Sequence, residues 1–278
     1  MTSPACLLPC VLFSLLLLAS RGALAGEEPP AAPSGSNWLI GAMASSQPEY
    51  DGSDRRQIKL RPLWAYQWGR FRLSTSRAGA AMNFASDPQG PGASALLVSG
   101  GSFRLGAALR FDSGRQSGDS EHLKGLPDIK RTLRGRVFAS WTLDENWTLS
   151  GNVSQDLLGN RGGAVGSLDL GYRHRLSARS DWTAGVGTAL GNSQNMRTYF
   201  GVTPVQSVSS GLPAFTPGAG VRDVYGGLGF ITALTPRWIL FGNAGGSRLV
   251  GDAAASPLTL QRTTYSAGLG LAYRCCRW

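Results

Sequence analysis

Strict alternation of apolar and polar side chains is the feature that most limits how this chain can fold. Between residues 102 and 111, one face carries Phe103, Leu105, Ala107, Leu109 and Phe111, and the other carries Arg104, Gly106, Ala108 and Arg110. A period of two places successive side chains on opposite faces of a β-strand. We therefore predict a strand here with one apolar and one polar face.

The same alternation recurs along the chain, most clearly in residues 57–68, 146–156 and 168–175. No amphipathic helix of useful length competes with it. The pattern predicts about twelve strands, with boundaries uncertain by about two to four residues. They cover residues 37–46, 57–67, 70–85, 94–98, 102–112, 131–142, 146–157, 163–176, 181–191, 222–234, 237–249 and 262–273.

Short and long connections alternate between these strands. The tight turns lie at 68–69, 99–101, 143–145, 177–180 and 235–236, and the longer loops lie at 47–56, 86–93, 113–130, 158–162, 192–221 and 250–261. Outer-membrane barrels have this arrangement, because their periplasmic turns are short and their outer loops long. The sequence predicts an all-β, antiparallel up-and-down transmembrane β-barrel of about twelve strands.

The N-terminus has the features of a secretory signal. Residues 7–19 form an apolar run that is too short to span a bilayer, and Ala23-Leu24-Ala25 has the small-x-small pattern of a cleavage site. We predict a signal peptide over 1–25, a flexible periplasmic leader over 26–36 and an outer-membrane barrel over 37–278. This organisation implies export to the outer membrane of a Gram-negative bacterium.

Tryptophans cluster near the short turns. Because their amphipathic rings suit a membrane–water interface, we expect them to form one girdle on the periplasmic side. The alternative is that they fill the core of a soluble β protein. The residues are Trp68, Trp141, Trp147, Trp182 and Trp238.

The polar faces carry many cations. If the apolar faces meet lipid, these cations point into the lumen, because each cation facing lipid at the bilayer midplane would destabilise the barrel by about 2–4 kcal/mol. They are Lys59, Arg61, Arg70, Arg72, Arg104, Arg110, Arg134, Arg136, Arg173 and Arg175. A basic lumen could form an anion-attracting pore or ligand site. Alternatively, the arginines pair with loop acids and fill a closed lumen, the candidate acids being Asp119, Glu121, Asp128 and Asp223.

Catalytic and metal-binding patterns are weak. The chain has two histidines, His122 and His174, and neither has a recognisable nucleophile and acid beside it. Two isolated histidines and the vicinal Cys275-Cys276 pair do not match metal-ligand spacing. We therefore predict no enzymatic activity and no cofactor. The net charge of +10 is scattered along the chain and does not indicate a nucleic-acid partner.

The long loops hold the most specific motifs. The chain has Tyr199-Phe200-Gly201-Val202-Thr203 and Ser210-Gly211-Leu212-Pro213-Ala214-Phe215 in one loop, and Gly251-Asp252-Ala253-Ala254-Ala255-Ser256-Pro257 in the last. Residues 48–53, 114–115 and 123–129 belong to the same set of motifs. With these motifs in this order, nearly the whole mature chain resembles the MipA/OmpV family of outer-membrane proteins.

This resemblance implies an outer-membrane barrel without catalytic residues. It also implies partners, since the founding member is described as a scaffold that joins the lytic transglycosylase MltA to a bifunctional penicillin-binding protein in murein synthesis. Other members are regarded as porin-like proteins, adhesins or surface antigens. The expected surroundings are outer-membrane lipid.

The C-terminus departs from the family pattern, in which the last strand ends in an aromatic residue. Tyr265, Leu269, Leu271 and Tyr273 set the outward phase, so residue 275 should be aromatic, yet it is Cys275. The terminal aromatic, Trp278, is one residue out of phase. Either a β-bulge restores the register, or the atypical Cys275-Cys276-Arg277-Trp278 end weakens insertion into the membrane.

Overall fold

A closed antiparallel barrel contains all the strands of the computed structural model, which describes residues 37–75 and 91–277. Within those ranges, each strand pairs with its sequence neighbours, and β1 closes the ring against β12. The predicted fold class is confirmed. The strands are β1 (Asn37–Pro48), β2 (Arg56–Trp68), β3 (Phe71–Ser74), β4 (Gly92–Gly100), β5 (Phe103–Asp112), β6 (Thr132–Thr142), β7 (Trp147–Asp156), β8 (Ala164–Ser177), β9 (Ser180–Gly191), β10 (Gly220–Ala233), β11 (Trp238–Leu249) and β12 (Thr263–Arg277).

Some expectations fall outside those ranges, namely the signal peptide, the leader, residues 76–85 of the third predicted strand, and Trp278. The predicted strand 94–98 corresponds to the longer β4. Its register against β5 shifts between Leu96 and Val98. This irregularity interrupts the period of two inside the predicted segment.

The outer face of the barrel is a continuous apolar surface. Large hydrophobic side chains on the predicted apolar phase are exposed, including Ile58 at 83%, Leu60 at 77% and Val186 at 61%. A soluble domain rarely leaves so much contiguous apolar surface in water. Hydrocarbon therefore solvates this face, as the alternation predicts.

Part of the lumen is apolar. Met43, Leu63, Phe241 and Ala272 form a buried cluster, with Leu39 and Ile231 packed against it. The expected basic interior is therefore wrong at this cluster, although Lys59 and Arg61, on the same strand and phase as Leu63, face inward. Along β1 both faces are apolar, so alternation of polarity could not show which side chains fill the barrel.

The last strand, β12, contains a register shift at its C-terminal end. Trp38 of β1 lies opposite Cys275, and Asn37 lies opposite Arg277, so Cys276 has no partner residue on β1. The extra residue is a bulge of the kind that restores register in antiparallel pairs.

The long loops contain short helices. They are α1 (Ser193–Phe200), α2 (Pro204–Ser210) and α3 (Gly251–Ala255), together with 3₁₀ turns at Ser117–Asp119 and Glu121–Leu123. None of the helices in the described part of the chain is long and apolar enough to cross a membrane.

Candidate functional site: the loop cap, the chamber beneath it and the short-turn rim

The long loops pack together into a cap over one end of the barrel. We define the cap as residues 49–55, 113–131, 157–163, 192–219 and 250–262. It has two apolar clusters of its own. The first contains Tyr50, Leu123, Leu126, Val202 and Leu258, with Leu212 packed against it, and the second contains Met196, Phe200, Leu249 and Ala253, with Tyr199 and Ala254 beside it. A loop assembly with its own core is folded, as the apolar content of these loops predicts.

The family-motif residues of the long loop form the joints of this cap. Gly201 ends α1, and Val202 and Phe215 exchange backbone hydrogen bonds at 2.9 and 2.8 Å. The Thr203 hydroxyl accepts a bond from the Gln206 N–H, and the Gln206 side chain accepts one from the Thr203 N–H, which caps α2. Pro204 begins that helix, in which Ser210 is the last residue, and Gly211 and Pro213 follow it.

Gly201 and Gly211 are needed for different reasons. Gly211 closes α2 in the left-handed region with φ 74°. Gly201 has φ −84°, a conformation open to other residues, but a Cβ there would lie 2.4 Å from the Arg197 carbonyl oxygen. Close packing, rather than an unusual backbone angle, therefore excludes a side chain at Gly201.

Hydrogen bonds join the separate loops. The Arg115 guanidinium donates to the Tyr199 carbonyl at 2.9 Å, and the Ser256 hydroxyl donates to the Phe200 carbonyl at 2.6 Å. Asp252 accepts from the Gly218 N–H at 2.7 Å. The last-loop motif, which includes Gly251 and Pro257, thus ties α1 and the segment around Gly218 to the last loop.

Gly125 gives a direct test of this loop packing. Its φ is +81°, and a Cβ would lie 2.3 Å from the Ser209 carbonyl oxygen. We expect Gly125→Ala to weaken the cap by about 1–3 kcal/mol or more, because strain and a backbone clash act together. Limited proteolysis of the refolded barrel measures the effect. Gly118→Ala is the matched control, since a Cβ there meets nothing within 4 Å. Equal sensitivity of the two variants would contradict the packing.

A polar cavity of about 470 Å³ lies between the cap and the upper part of the strands, and we call it the chamber. Its lining includes tyrosines, amides and ionised groups of both signs. The basic side chains are Lys59, Arg115, Arg134 and Arg222, and the acidic ones are Glu49, Asp51, Asp112, Asp119 and Asp223. This volume is within the usual range for small-molecule sites.

Burial shifts the titration of groups in the chamber ceiling. Removal from water raises the pKa of Tyr50 to about 12, and it raises the pKa of Tyr199 above its ordinary value, with the nearby Asp112 carboxylate adding to the effect. Burial also lowers the pKa of Arg115. The tyrosines are therefore neutral hydrogen-bonding groups at physiological pH.

The predicted lumen cations occupy three environments. Lys59 and Arg134 line the chamber, and the Arg134 guanidinium lies 3.6 Å from Asp112 and donates to the Gly162 and Gly163 carbonyls. Arg173 and Arg175 pair with Asp181 near the short turns. Arg61, Arg72, Arg110 and Arg136 lie on the inward phase of β2, β3, β5 and β6, and Arg110 is in register with Arg134. Arg104 lies at the short-turn end of β5. Arg70 lies in the turn between β2 and β3, outside the lumen wall.

The expected acid partners are wrong. Glu121 pairs with Arg55 and Lys124, Asp223 pairs with Arg222, and Ser117 donates to Asp128. Asp119 accepts from the Gln116 N–H. Strand register explains the difference, because Asp112 and Asp181 lie near strand ends, within reach of inward arginines. Asp119, Glu121 and Asp128 are held within the cap, and Asp223, on β10, is taken by the neighbouring Arg222.

Two side chains of the chamber were not expected from the sequence. Arg222 is buried against Asp223, with Nε 2.6 Å from Oδ2, and Asn195 donates to the Gly162 carbonyl at 2.8 Å. The Arg222-Asp223 dipeptide falls at a register shift between β9 and β10, so alternation gave no signal for it. The sequence Asn192-Ser-Gln-Asn195, typical of a helix N-cap, was the available signal for Asn195.

At the opposite end lies the short-turn rim, formed by the turns 69–70, 101–102, 143–146, 178–179 and 234–237 and the strand ends beside them. The five predicted girdle tryptophans all lie on the outward phase here. Trp147 packs against Tyr172 with the ring centres 4.9 Å apart, Trp182 packs against Tyr172 at 5.7 Å, and Trp238 contacts Tyr273 at 5.1 Å. Trp68 and Trp141 are 66% and 56% exposed. Their role as an interface girdle remains a prediction.

The rim is also rich in arginine. Among the residues whose side chains the structure describes, seven arginines are exposed at the rim, against three acids. The arginines are Arg70, Arg104, Arg173, Arg175, Arg179, Arg237 and Arg274, and the acids are Asp144, Glu145 and Asp181.

Neither histidine lies in a catalytic arrangement. His122 Nε2 is 3.0 Å from the Pro257 carbonyl oxygen, and His174 stacks with Tyr172 on the outer surface. In residues 37–75 and 91–277, no group of three or more potential metal ligands occurs.

Similar solved structures include the KdgM porin (10% identity, 84% of this chain and 98% of that chain, TM-score 0.43) and the NanC porin (8% identity, 85% and 100%, TM-score 0.43). No curated protein matches the chain. The model of the family described as MltA-interacting protein MipA matches residues 40–275. The chain therefore belongs to the MipA family, and it is an outer-membrane β-barrel protein.

Proposed function

We propose that this protein is an outer-membrane scaffold that holds a murein lytic transglycosylase and a bifunctional penicillin-binding protein beneath the membrane. The family name supports the first partner, because it describes an MltA-interacting protein. Scaffolding needs no catalytic group, and neither His122 nor His174 lies in a catalytic arrangement.

The observation that carries this proposal is the charge of the short-turn rim. Its seven exposed arginines come from five different turns or strand ends, and three acids oppose them. Such a surface attracts an acidic partner and raises its rate of association. The rim would face the periplasm, where murein enzymes work, and the leader over 26–36 would add to the contact.

A matched pair of variants tests the docking surface. In the first, Arg70, Arg179, Arg237 and Arg274 become glutamine; in the second, Arg55, Lys124, Lys130 and Arg197 of the cap become glutamine. Both sets are exposed and remove the same charge. We expect only the rim variant to bind the transglycosylase more weakly, by about tenfold or more at low salt.

The measurement is capture of purified transglycosylase and penicillin-binding protein by the refolded barrel in nanodiscs, at two salt concentrations. A further arm removes residues 26–36. Equal capture by all variants would overturn the placement of the docking surface, and absence of capture by the unaltered barrel would overturn the scaffold.

A porin-like channel is the second candidate, favoured by the arginines on the inward phase of the strands, such as Arg61, Arg72 and Arg110. The cap and the buried apolar cluster around Phe241 argue against a wide pore. Planar-bilayer conductance separates the two functions. Steady anion-preferring conductance would favour the channel, and its absence would favour the scaffold.

A further inference from the structure

Two arginines lie on the lipid-facing side of the barrel, close to the cap. Arg56 of β2 shares the outward phase with the exposed Ile58 and Leu60. Arg248 of β11 shares it with the exposed Trp238. Both arginine side chains are exposed. Because hydrocarbon cannot replace the hydration of a guanidinium group, a polar part of the membrane must solvate them.

The length of the strands places both arginines at the level of the lipid headgroups. Ile58 and Trp68 are ten residues apart on β2, which corresponds to about 34 Å along the strand. At a tilt of about 35–45°, this length covers about 24–28 Å of membrane, the height of the apolar band of such barrels. Arg56 lies two residues beyond Ile58, and Arg248 lies ten residues from Trp238. Because the long loops of outer-membrane barrels face outward, these headgroups belong to the outer leaflet.

Hydrogen bonds hold the Arg56 side chain in place. The pairing of β1 with β12 stops at Ser46 and Ala267, and Pro48, the next outward residue of β1, has no N–H to donate. The Arg56 guanidinium reaches across β1 and donates to the Tyr265 carbonyl at 2.8 Å. It also donates to the Ser46 hydroxyl at 3.0 and 3.2 Å. These bonds use three of its five N–H donors, so two remain for a ligand.

Arg248 is close enough to share a ligand with Arg56. Tyr265 lies opposite Gly246 of β11, and Arg248 is two residues further along the same face. Diagonal neighbours of this kind lie about 7–8 Å apart, a distance that long side chains cover. In the part of the chain that the structure describes, the Arg248 side chain has no hydrogen bond, and neither arginine forms an ion pair. Both charges can therefore bind an external anion.

We infer that Arg56 and Arg248 bind the phosphate of an outer-leaflet lipid whose headgroup carries a phosphate monoester. Such a phosphate has a charge of about −1.5 to −2 at neutral pH and three acceptor oxygens, which match two guanidinium groups. A phosphodiester headgroup has one negative charge and binds more weakly. The acyl chains of the lipid lie against Ile58 and Leu60. The inference goes beyond the proposed scaffold and does not depend on it.

Lipids that differ only in the headgroup test this site. The full mature barrel in maltoside micelles is incubated with phosphatidic acid, phosphatidylglycerol or phosphatidylcholine of the same acyl chains, and native mass spectrometry counts the lipids that it retains. Phosphatidic acid is the phosphate monoester among them. We expect it to bind at least about tenfold more tightly than phosphatidylglycerol, and phosphatidylcholine to bind more weakly still. Equal retention of the three lipids would overturn the inference.

Substitutions assign the phosphate to the two arginines. With both changed to glutamine, phosphatidic acid and phosphatidylglycerol should bind equally. Arg248→Gln alone should weaken binding of phosphatidic acid by at least about threefold, without loss of any hydrogen bond between strands.

A matched control removes the same charge from the cap. Lys124→Gln combined with Arg197→Gln changes two exposed residues and should leave the preference for phosphatidic acid unchanged. Heat-modifiable migration on gels verifies that each variant is folded. If the variant lacking Arg56 and Arg248 keeps the preference, or if the cap variant loses it to the same extent, the assignment is wrong.

Discussion

Replacing Val137 with arginine will destabilise the barrel in a lipid bilayer by about 2–4 kcal/mol. Val137 lies in the middle of β6 on the outward phase, and 55% of its side chain is exposed. A guanidinium at this depth would be placed in hydrocarbon, where nothing replaces its hydration. The free energy of unfolding, measured by urea titration in liposomes, is the quantity that should fall.

Ser150→Arg is the matched control for this prediction. Ser150 lies in the middle of β7 on the inward phase, and its partner on β8 is Asp169. A cation there faces an acid across the strand pair, so we expect little loss of stability. If both arginines cost the same, the assignment of outward and inward faces would be wrong.

Replacing Phe200 with alanine will open the cap while leaving the barrel folded. Phe200 is 1% exposed and packs with Met196, Leu249 and Ala253. Loss of a buried phenylalanine costs about 3–5 kcal/mol. Few strand contacts depend on this side chain, so the cost should appear as local opening of the loops.

Trypsin reports this opening through cleavage after Arg197, which is exposed on α1. We expect cleavage to rise by more than about a hundredfold, while heat-modifiable migration of the barrel is retained. Val205→Ala is the control, since that side chain is 80% exposed on α2. An unchanged digestion pattern for Phe200→Ala would show that the cap does not depend on its core.

The parts of the structure that follow a local period were predictable. Phe103 to Phe111 alternate because one face of β5 meets lipid and the other the lumen, so polarity records the environment directly. The tight turns and the long loops follow from the same topology. These features can be predicted without knowing which distant residues are in contact.

The lumen filling and the cap were harder to predict, because they depend on contacts between distant segments. Leu39 and Met43 face inward from a strand whose outer face is also apolar, so no alternation separates the two faces. The helices of the cap have five to eight residues, too few to show a helical period. The pairing of Arg134 with Asp112 depends on the register between β5 and β6.

Refolding of residues 26–278 with and without lipid shows whether hydrocarbon solvates the outer face. With liposomes present, we expect a heat-modifiable, protease-resistant barrel. In plain buffer, we expect the chain to aggregate through exposed side chains such as Ile58 and Leu60. Sedimentation velocity and circular dichroism distinguish these outcomes. A folded, monodisperse monomer in buffer without detergent would contradict the account.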